Sequence, residues 1–262
     1  MKAYLYSGAG NSFVVLDGRS LPAEPDVVGL CSRFHTDGLM ILRPASDCDF
    51  EMDYYNSDGS SGMMCGNGGR CIVAFADYLG IRPAEGGRYH FRAADGMHTG
   101  ELLGCEDRVK TVRLQMIDVH EFHPALDGWF LNTGTRHFVK FVPDVEAVEI
   151  AGEGARYRWD SSFAPVGVNA NFVQTEGRQL KVRTFEKGVE AETLACGTGI
   201  TACALASALT GVAPAETDSD GRKHYLVRAR QDDLRVDFLQ QEQAFVSVYL
   251  TGPATLLSVE TI

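Results

Sequence analysis

Two cysteines of this 262-residue chain each stand directly before a glycine-rich turn, and an apolar run typical of a helix follows each turn. The motifs are Cys-Gly-Asn-Gly from Cys65 and Cys-Gly-Thr-Gly from Cys196. A thiol at a helix start lies in the positive end of the helix dipole, which lowers its pKa and raises its thiolate fraction. The free N–H groups of the first turn can also receive a carboxylate. One such motif is a weak signal, but its repetition predicts a pair of reactive thiols.

Two activated thiols favour acid–base chemistry on one carbon atom. A thiolate can remove the proton α to a carboxylate, and a thiol on the opposite face can return a proton, which inverts the stereocentre. The carbanion formed between these steps needs preorganised donors, and the two helix starts would supply them. Neither a metal ion nor pyridoxal phosphate is required. We therefore expect an amino-acid racemase or epimerase that works without a cofactor and binds no metal.

The composition excludes several other classes of protein. A formal charge of −11 argues against a nucleic acid or an anionic membrane as partner. No secretory signal and no apolar stretch long enough to span a bilayer are recognised. The seven cysteines form an odd set with no Cys-x-x-Cys spacing, which indicates reduced thiols. We expect a cytoplasmic enzyme with a small-molecule substrate, in which Cys71 and Cys203 pack in the core because they fall on the apolar runs.

The hydrophobic pattern predicts an α+β fold. Many short strands are expected, and each half of the chain has one long helix that is too apolar to lie on a surface, so sheet should surround it. The pattern loosens at residues 118–124, which suggests a crossing into a second unit. A short helix is predicted at residues 144–151. Strands are predicted at residues 244–251 and, after Gly252-Pro253, from there to the C-terminus.

These motifs identify a resemblance to the diaminopimelate epimerases over essentially the whole chain. Besides the two cysteine motifs, it rests on residues 8–13 (Gly-Ala-Gly-Asn-Ser-Phe), 37–39 (Asp-Gly-Leu), 56–60 (Asn-Ser-Asp-Gly-Ser), 167–172 (Gly-Val-Asn-Ala-Asn-Phe), 192–199 (Glu-Thr-Leu-Ala-Cys-Gly-Thr-Gly) and 249–254 (Tyr-Leu-Thr-Gly-Pro-Ala). Their order along the chain makes the combination highly specific.

The resemblance implies two similar domains, each a curled, mostly antiparallel sheet wrapped around a central helix, with the active site in the cleft between them. The implied domains are residues 1–118, completed by the last strand at 250–262, and residues 119–249. The implied reaction is epimerisation of LL-2,6-diaminopimelate to the meso isomer, a step in lysine and peptidoglycan precursor biosynthesis. Relatives also suggest a homodimer.

The family's functional residues can be carried over to matching positions. Cys65 and Cys196 would be the two catalytic bases. The implied substrate-binding residues are Asn11, Asn56, Gly66, Asn67, Asn169, Glu186, Lys187, Gly197 and Thr198, with His137 and Thr135 in support. Among these, the backbone at Gly66-Asn67 and Gly197-Thr198 would hold the reacting carboxylate, and His137 and Glu186 would flank the reacting amine.

Two positions depart from the family pattern. Thr135 stands where the family usually has asparagine, and Lys187 stands where it usually has arginine. Arginine binds a carboxylate with two parallel hydrogen bonds and lysine cannot, so the change affects recognition of the substrate. A racemase or epimerase of another amino acid, such as histidine or proline, is therefore the alternative enzyme. A related isomerase of the phenazine-pathway type would lack the cysteine pair, and a binding module on this scaffold would bind amino acids without exchanging protons.

A dinucleotide site is a further alternative reading of the second motif. Residues 197–202 fit the pattern G-x-G-x-x-A, with Asp218 at about the expected distance. The residues that lead into this motif, 186–192, form a charged loop rather than a strand, which argues against it. His120 and His123 have no third metal ligand nearby in the sequence, so they do not indicate a metal site.

Overall fold

The computed structural model describes residues 1–62, 64–84 and 86–262, and Met63 and Glu85 lie outside the described residues. The chain forms two compact units. Unit 1 comprises Met1–Gln115 with Thr251–Ile262, and unit 2 comprises Met116–Leu250. The domains predicted from the sequence comprise residues 1–118 with 250–262, and residues 119–249.

Unit 1 is a closed sheet. Its strands are β1 (Lys2–Gly8), β2 (Asn11–Asp17), β3 (Gly38–Arg43), β4 (Phe50–Asn56), β5 (Arg88–Ala93), β6 (Gly96–Glu106), β7 (Val109–Gln115) and the second part of β17 (Phe245–Thr261). Each strand pairs with the next along the chain, and β17 pairs with both β7 and β1, which completes the ring. Only β2–β3 and β4–β5 are parallel among these pairs. The mostly antiparallel sheet predicted for this half is confirmed.

The central helix of unit 1 carries the first cysteine motif. Helix α2 (Gly66–Tyr78) is buried without interruption from Gly66 to Ala76, and it contacts β1, β2, β3, β6 and β7. A short helix, α1 (Val27–Phe34), packs outside on β2 and β3. Burial of an apolar helix inside a sheet explains why the run after Cys65 has no polar face. Cys71 is fully buried there, as predicted.

The end of the chain differs from the prediction of two strands broken at Gly252-Pro253. Strand β17 is continuous through this pair, with Gly252 opposite Val112 and Pro253 opposite Thr111 of β7. Proline is normally excluded from central strands because it has no N–H to donate. Here the carbonyl oxygen of Pro253 accepts a hydrogen bond from Nε of Arg70 at 3.3 Å, so the backbone acceptor of this residue is satisfied.

Unit 2 has its own mixed sheet. The strands are β8 (Phe122–Ala125), β9 (Gly128–Asn132), β10 (Arg136–Phe141), β11 (Asn169–Glu176), β12 (Gln179–Glu186), β13 (Ala191–Thr193), β14 (Glu216–Thr217), β15 (Lys223–Arg228), β16 (Asp233–Gln240) and the first part of β17. The pairs β10–β11 and β12–β15 are parallel, and the other pairs within β8 to β16 are antiparallel. Helix α4 (Gly197–Leu209) carries the second cysteine motif and contacts strands β9 to β12, β15 and β16. Apart from Thr198, α4 is buried from Gly197 to Ser207, as its composition predicts.

The helix predicted at residues 144–151 is wrong in position. The observed helix α3 is Ile150–Arg158, and the carboxylate of Glu149 caps it by accepting from the N–H groups of Ala151 and Gly152. Glycines within the helix conceal it in the sequence because glycine weakens helix propensity. Gly154 is needed there: a Cβ at this position would lie 2.4 Å from Cβ of Phe185.

Among the described residues, no helix combines the length and the apolar composition needed to cross a bilayer.

Candidate active site

Cys65 is the N-cap residue of α2. Its Sγ accepts a hydrogen bond from the N–H of Gly68 at 3.3 Å, and its backbone is extended, with φ −114° and ψ 155°. The N–H group of Gly68 and the positive end of the helix dipole therefore both face this sulphur. Unlike Cys71, whose pKa burial raises to about 12, Cys65 is partly exposed. The first motif therefore supplies a thiol with access to a ligand and with a donor aimed at its sulphur.

A chain of polar groups fixes the residues next to Cys65. Nδ2 of Asn67 donates to Oδ1 of Asn11 at 2.6 Å, and Nδ2 of Asn11 donates to Oδ2 of Asp37 at 3.3 Å. The same Asp37 oxygen accepts from the N–H of Ser12 at 2.8 Å. Asn11 and Asn67, which are distant in sequence and predicted to bind substrate, are thus in direct contact, and Asp37 orients the first of them.

A buried arginine, Arg70, supports this side of unit 1. It is 0% exposed, and its guanidinium donates to Gly66 O at 3.0 Å, Gly8 O at 3.2 Å and Asn67 Oδ1 at 3.0 Å. Gly8 must be glycine, since a Cβ there would lie 2.5 Å from Asn67 O. Arg70 was not among the residues predicted from the sequence. The sequence did contain an indication of its role, because an arginine within a helix that is predicted to be buried requires a specific structural reason.

Asn56 lies at the end of β4 opposite Gly38 of β3, in a turn that closes on itself. Its Nδ2 donates to Oγ of Ser60 at 3.0 Å, and its N–H donates to Ser60 O at 2.9 Å. The N–H of Ser57 donates to Asp37 O at 3.2 Å. The turn that contains Asn56 is therefore tied to the same Asp37 that orients Asn11.

In unit 2, Cys196 is the N-cap residue of α4, with φ −114° and ψ 109°. Its Sγ lies 3.5 Å from Oγ1 of Thr198, and the thiol is buried, with 9% of the residue exposed. Thr133 holds the first turn of the helix, because its Oγ1 donates to Thr198 O at 2.9 Å. Gly199 leaves room at this turn: a Cβ there would lie 2.5 Å from Oδ1 of Asn171 and 3.3 Å from Sγ of Cys196.

His137 links Thr198 to the sheet. Its Nε2 lies 3.0 Å from Oγ1 of Thr198 and 2.8 Å from Oγ1 of Thr135, while Nδ1 lies 3.1 Å from Nδ2 of Asn171. Burial lowers the pKa of His137 to about 3, and the positive charge of Lys187 acts in the same direction. The imidazole is therefore neutral at physiological pH, and it acts here through hydrogen bonds rather than through charge.

The loop that follows β12 brings the remaining predicted residues together. Oδ1 of Asn169 accepts from the N–H of Lys187 at 2.8 Å, and Nδ2 of Asn169 donates to Arg136 O at 3.0 Å. Oε2 of Glu186 accepts from Oγ1 of Thr193 at 2.7 Å. In this arrangement Asn169 uses both ends of its amide to hold the loop, and the side chains of Glu186 and Lys187 are partly exposed.

Arg158 anchors the other side of this loop, and this role was not predicted from the sequence. Its Nε donates to Oε1 of Glu190 at 3.1 Å, and the same oxygen accepts from the N–H of Gly188 at 3.0 Å. Glu190 itself has φ +57°, a left-handed backbone that few residues other than glycine adopt. Its carboxylate thus fixes the tight turn that carries Lys187.

Unit 1 therefore gathers Cys65, Gly66, Asn67 and Asn11, with Asn56 joined through Asp37. Unit 2 gathers Cys196, Gly197, Thr198, His137, Thr135 and Asn169, with the loop of Glu186 and Lys187 attached to Asn169. Across residues 1–62, 64–84 and 86–262, no group of three or more His, Cys, Asp or Glu side chains is placed to hold a metal ion.

Solved structures define the class of fold to which the chain belongs. A phenazine biosynthesis protein of the PhzF family from Bacillus anthracis superposes with a TM-score of 0.74 at 13% identity, covering 100% of this chain and 98% of the other. A hydroxyproline epimerase from Agrobacterium vitis superposes with a TM-score of 0.66 at 14% identity, covering 99% and 91%. At this identity the comparison establishes the fold: two α+β units, each a sheet around a central helix.

Sequence comparison then gives the family. The profile described as Diaminopimelate epimerase matches residues 3–98 and 129–257. The diaminopimelate epimerase of Flavobacterium psychrophilum is 38% identical and covers 100% of both chains. That of Chlorobaculum tepidum is 37% identical over 98% of this chain and 99% of its own. The chain belongs to the diaminopimelate epimerase family, as its motifs indicate, and is an isomerase.

Proposed function

We propose that this protein converts LL-2,6-diaminopimelate to meso-diaminopimelate with Cys65 and Cys196 as the two acid–base groups. The observation that carries the proposal is that both cysteines are N-cap residues of buried helices whose first turns begin with glycine. Relatives that are 37–38% identical over nearly the whole chain are named for this reaction.

The proposed chemistry consists of two proton transfers at one α carbon. The thiolate sulphur of one cysteine takes the α proton and becomes a thiol, and the electron pair of the broken C–H bond moves onto the carbon and its carboxylate. The thiol of the other cysteine then gives its proton to the opposite face of the carbon and becomes a thiolate. The protonation states of the two sulphurs are exchanged, and the reverse reaction restores them.

The helix starts supply the electrostatic stabilisation that this carbanion needs. The first N–H groups of α2 and α4 are not used inside their helices, and the turns Gly66-Asn67 and Gly197-Thr198 have little side chain to obstruct a carboxylate. Donors of this kind, fixed before the reaction, contribute about 10²–10³-fold each to rate in other enzymes. We propose that these turns hold the carboxylate of the reacting centre.

Asn11, Asn67 and Asn169 are proposed as substrate ligands on the resemblance and on their positions beside the cysteines or the loop. Asn56 is proposed on the resemblance and on its link through Asp37. Glu186 and Lys187, which are partly exposed, are proposed to reach the substrate's amino and carboxylate groups. The homodimer, the cytoplasmic location and the place in lysine and peptidoglycan precursor synthesis are proposals from the same resemblance.

A second candidate substrate class is a single-centre amino acid such as histidine or proline. Thr135 and Lys187 favour it, because these positions usually carry asparagine and arginine in the family. The hydroxyl group of Thr135 forms hydrogen bonds with His137 and Thr198. The threonine side chain is also shorter than the asparagine side chain usual at this position in the family. The distal amino and carboxylate groups of diaminopimelate distinguish the two candidates.

The test is exchange of α protons with solvent. Reduced enzyme is incubated in D₂O with LL-diaminopimelate, and separately with proline and histidine, and the α-proton signals are followed by NMR. Deuterium uptake with appearance of the meso isomer, from diaminopimelate alone, supports the proposal. Exchange in proline or histidine alone would retain the mechanism and change the substrate. Absence of exchange with all three, with free thiols verified by titration, would overturn the proposal.

A further inference from the structure

A chain of hydrogen bonds through His137 and Thr198 links Asn171 to the reactive thiol of unit 2, and Asn171 has no part in the proposed chemistry. It is fully buried in β11, where Val139 of β10 and Thr184 of β12 are its neighbours across the sheet. Its Oδ1 also occupies the space that a side chain at position 199 would need. A buried amide so close to a helix start must be satisfied on both its ends.

The orientation of the Asn171 amide is determined by its partners. Nδ2 lies 2.9 Å from Phe138 O and 3.3 Å from Asn169 O, and carbonyl oxygens can only accept. Oδ1 accepts from Oγ1 of Thr184 at 2.9 Å. The reverse orientation would place the amide oxygen against these two carbonyl oxygens, which would be repulsive. Asn171 therefore turns its NH₂ group, whose nitrogen can donate but not accept, toward its third neighbour.

That neighbour is Nδ1 of His137, 3.1 Å away. An amide nitrogen cannot accept a hydrogen bond, so a proton on Nδ1 would face another N–H group; Nδ1 is therefore unprotonated, and in a neutral imidazole the proton is then on Nε2. The low pKa that burial gives His137 is consistent with a neutral ring. The Nε2–H group faces the two hydroxyl groups of Thr135 and Thr198, at 2.8 and 3.0 Å.

The two hydroxyl groups connect the Nε2–H donor of His137 to the sulphur of Cys196 by hydrogen bonds. Oγ1 of Thr135 lies within 3.5 Å of Nδ2 of Asn169, a second donor, and 3.1 Å from Oγ1 of Thr198. With Nε2–H donating, three hydrogens are available for three acceptors, namely the two hydroxyl oxygens and Sγ of Cys196 at 3.5 Å from Thr198. In the other tautomer Nε2 would accept, and it would compete with the sulphur for the two hydroxyl hydrogens.

We propose that Asn171 is a positioning residue that fixes the Nε2–H tautomer of His137 and so directs the hydroxyl hydrogen of Thr198 to the sulphur of Cys196. This inference rests on the proposed function, in which Cys196 must be a thiolate in one direction of the reaction. Asn171 touches neither substrate nor sulphur. Its effect is to keep a donor on the thiolate before substrate arrives, which is the preorganisation that acid–base catalysis requires.

The test uses Asn171→Asp, which is nearly isosteric and places an acceptor opposite Nδ1. In protein labelled with ¹⁵N-histidine, long-range ¹H–¹⁵N NMR identifies the protonated ring nitrogen of His137 directly. We expect a proton on Nε2 alone in the original protein and a proton on Nδ1 in the variant. At fixed pH, alkylation of Cys196 by iodoacetamide, measured by peptide mass spectrometry, should be slower by about tenfold, since a hydrogen bond to a charged group contributes at least that factor.

Asn171→Leu is the second variant, because it removes the amide opposite Nδ1 of His137 without adding a charge and decides the question if Asn171→Asp does not fold. It should shift His137 away from pure Nε2–H, because the N–H group opposite Nδ1 is gone, and slow Cys196 alkylation in the same direction. Ser207→Ala is the matched control: Ser207 is also fully buried, and its Oγ donates to Cys203 O within α4, outside this network. The control should keep the tautomer and the alkylation rate.

Two results would overturn the inference. One is the absence of a proton on Nδ1 of His137 in both Asn171→Asp and Asn171→Leu. The other is a change of tautomer with unchanged Cys196 alkylation and unchanged α-proton exchange. Both differ from failure of the proposed function, which would appear as absence of α-proton exchange in the unmodified enzyme, whatever the tautomer of His137.

Discussion

Arg70 donates from Nη2 to Oδ1 of Asn67, 3.0 Å away, and Asn67 in turn donates to Asn11 at 2.6 Å. The amide of Asn67 is therefore held from both ends, by a buried guanidinium on one side and by a predicted substrate ligand on the other. Its position in the first turn of α2 places this contact beside Cys65. The stability of unit 1 and the geometry of its reactive turn thus depend on one arginine.

Replacing Arg70 should show this dependence. In Arg70→Met the oxygens of Gly8, Gly66, Asn67 and Pro253 each lose one hydrogen bond, and an acceptor that is left unsatisfied costs about 1–3 kcal/mol. We expect the free energy of unfolding, measured with urea, to fall by about 3 kcal/mol or more. Arg70→Lys should fall less, because lysine keeps a donor but cannot reproduce the fork. The exposed residue Arg82 gives the control, Arg82→Met, and equal losses in the two Met variants would contradict this interpretation.

Serine in place of either reactive cysteine should stop epimerisation. A hydroxyl is a far weaker acid than a thiol, so Cys65→Ser and Cys196→Ser should each lose about 10²–10⁴-fold in kcat for conversion of the LL to the meso isomer. The rate is followed by chiral chromatography of the reaction mixture. Cys105→Ser, at an exposed position in β6, should keep full activity. Normal turnover by Cys65→Ser is the result that the two-thiol mechanism does not permit.

The loop of unit 2 offers a test of substrate recognition. Lys187→Arg restores the residue usual in the family, and its bidentate geometry should lower KM for diaminopimelate by up to about tenfold. Lys181→Arg is the control, since Lys181 forms an ion pair with Glu176 at 2.8 Å elsewhere in the same unit. A rise in KM, or an equal effect of the two variants, would argue that Lys187 does not contact the substrate.

His137 should make stability depend on pH in a defined direction. Burial lowers the pKa of His137 from 6.5 to about 3, so between these values the unfolded chain binds a proton that the folded chain does not. The contribution of the neutral ring is complete above pH 6.5 and is lost progressively as pH falls toward 3, with a slope of at most about 1.4 kcal/mol per pH unit.

Urea unfolding across the acid range measures this slope. His137→Gln cannot titrate, so its free energy of unfolding should decline less steeply with falling pH than that of the original protein. His120→Gln, at an exposed histidine, should leave the slope unchanged. If His137→Gln declines as steeply as the original protein, the histidine is not responsible for the loss.

Gly199 is a test of close packing at the second cysteine. In Gly199→Ala the new Cβ would lie 2.5 Å from Oδ1 of Asn171, which is itself held by Thr184, so the helix start must shift. We expect a loss of about 1–3 kcal/mol in the free energy of unfolding and a lower kcat. Gly104→Ala, where the added methyl meets nothing within 4 Å, provides the comparison. Equal stability and activity of the two variants would show that the turn can adapt.

The sequence predicted much of the fold and part of the site, for identifiable reasons. The two buried helices follow from long apolar runs after glycine-rich turns, and their enclosure by sheet follows from the lack of a polar face. Helix α3 was misplaced because the glycines within it hide its pattern. The strand break predicted at Pro253 was wrong because its pairing with Thr111 of β7, far away in the sequence, is a property of the folded sheet.

The supporting residues of the site were harder to predict. Asn171 becomes significant only when the register of β10 to β12 places it beside His137 and Thr184, and register is a property of the folded sheet. Asn169 was predicted as a ligand from its motif, but the motif did not reveal that its amide holds the loop of Lys187. Residues that act through other residues are harder to predict from the sequence than residues that begin a helix or a turn.

The path of β17 has a consequence for the order of events during synthesis. The second part of this strand supplies the pairing that joins β7 to β1, yet it is synthesised after all the residues of unit 2. Until then the nascent first unit has two unpaired edges, and open edges of this kind invite intermolecular pairing. The residues of unit 2 form one continuous stretch, whereas unit 1 stays open until residues 251–262 have been synthesised.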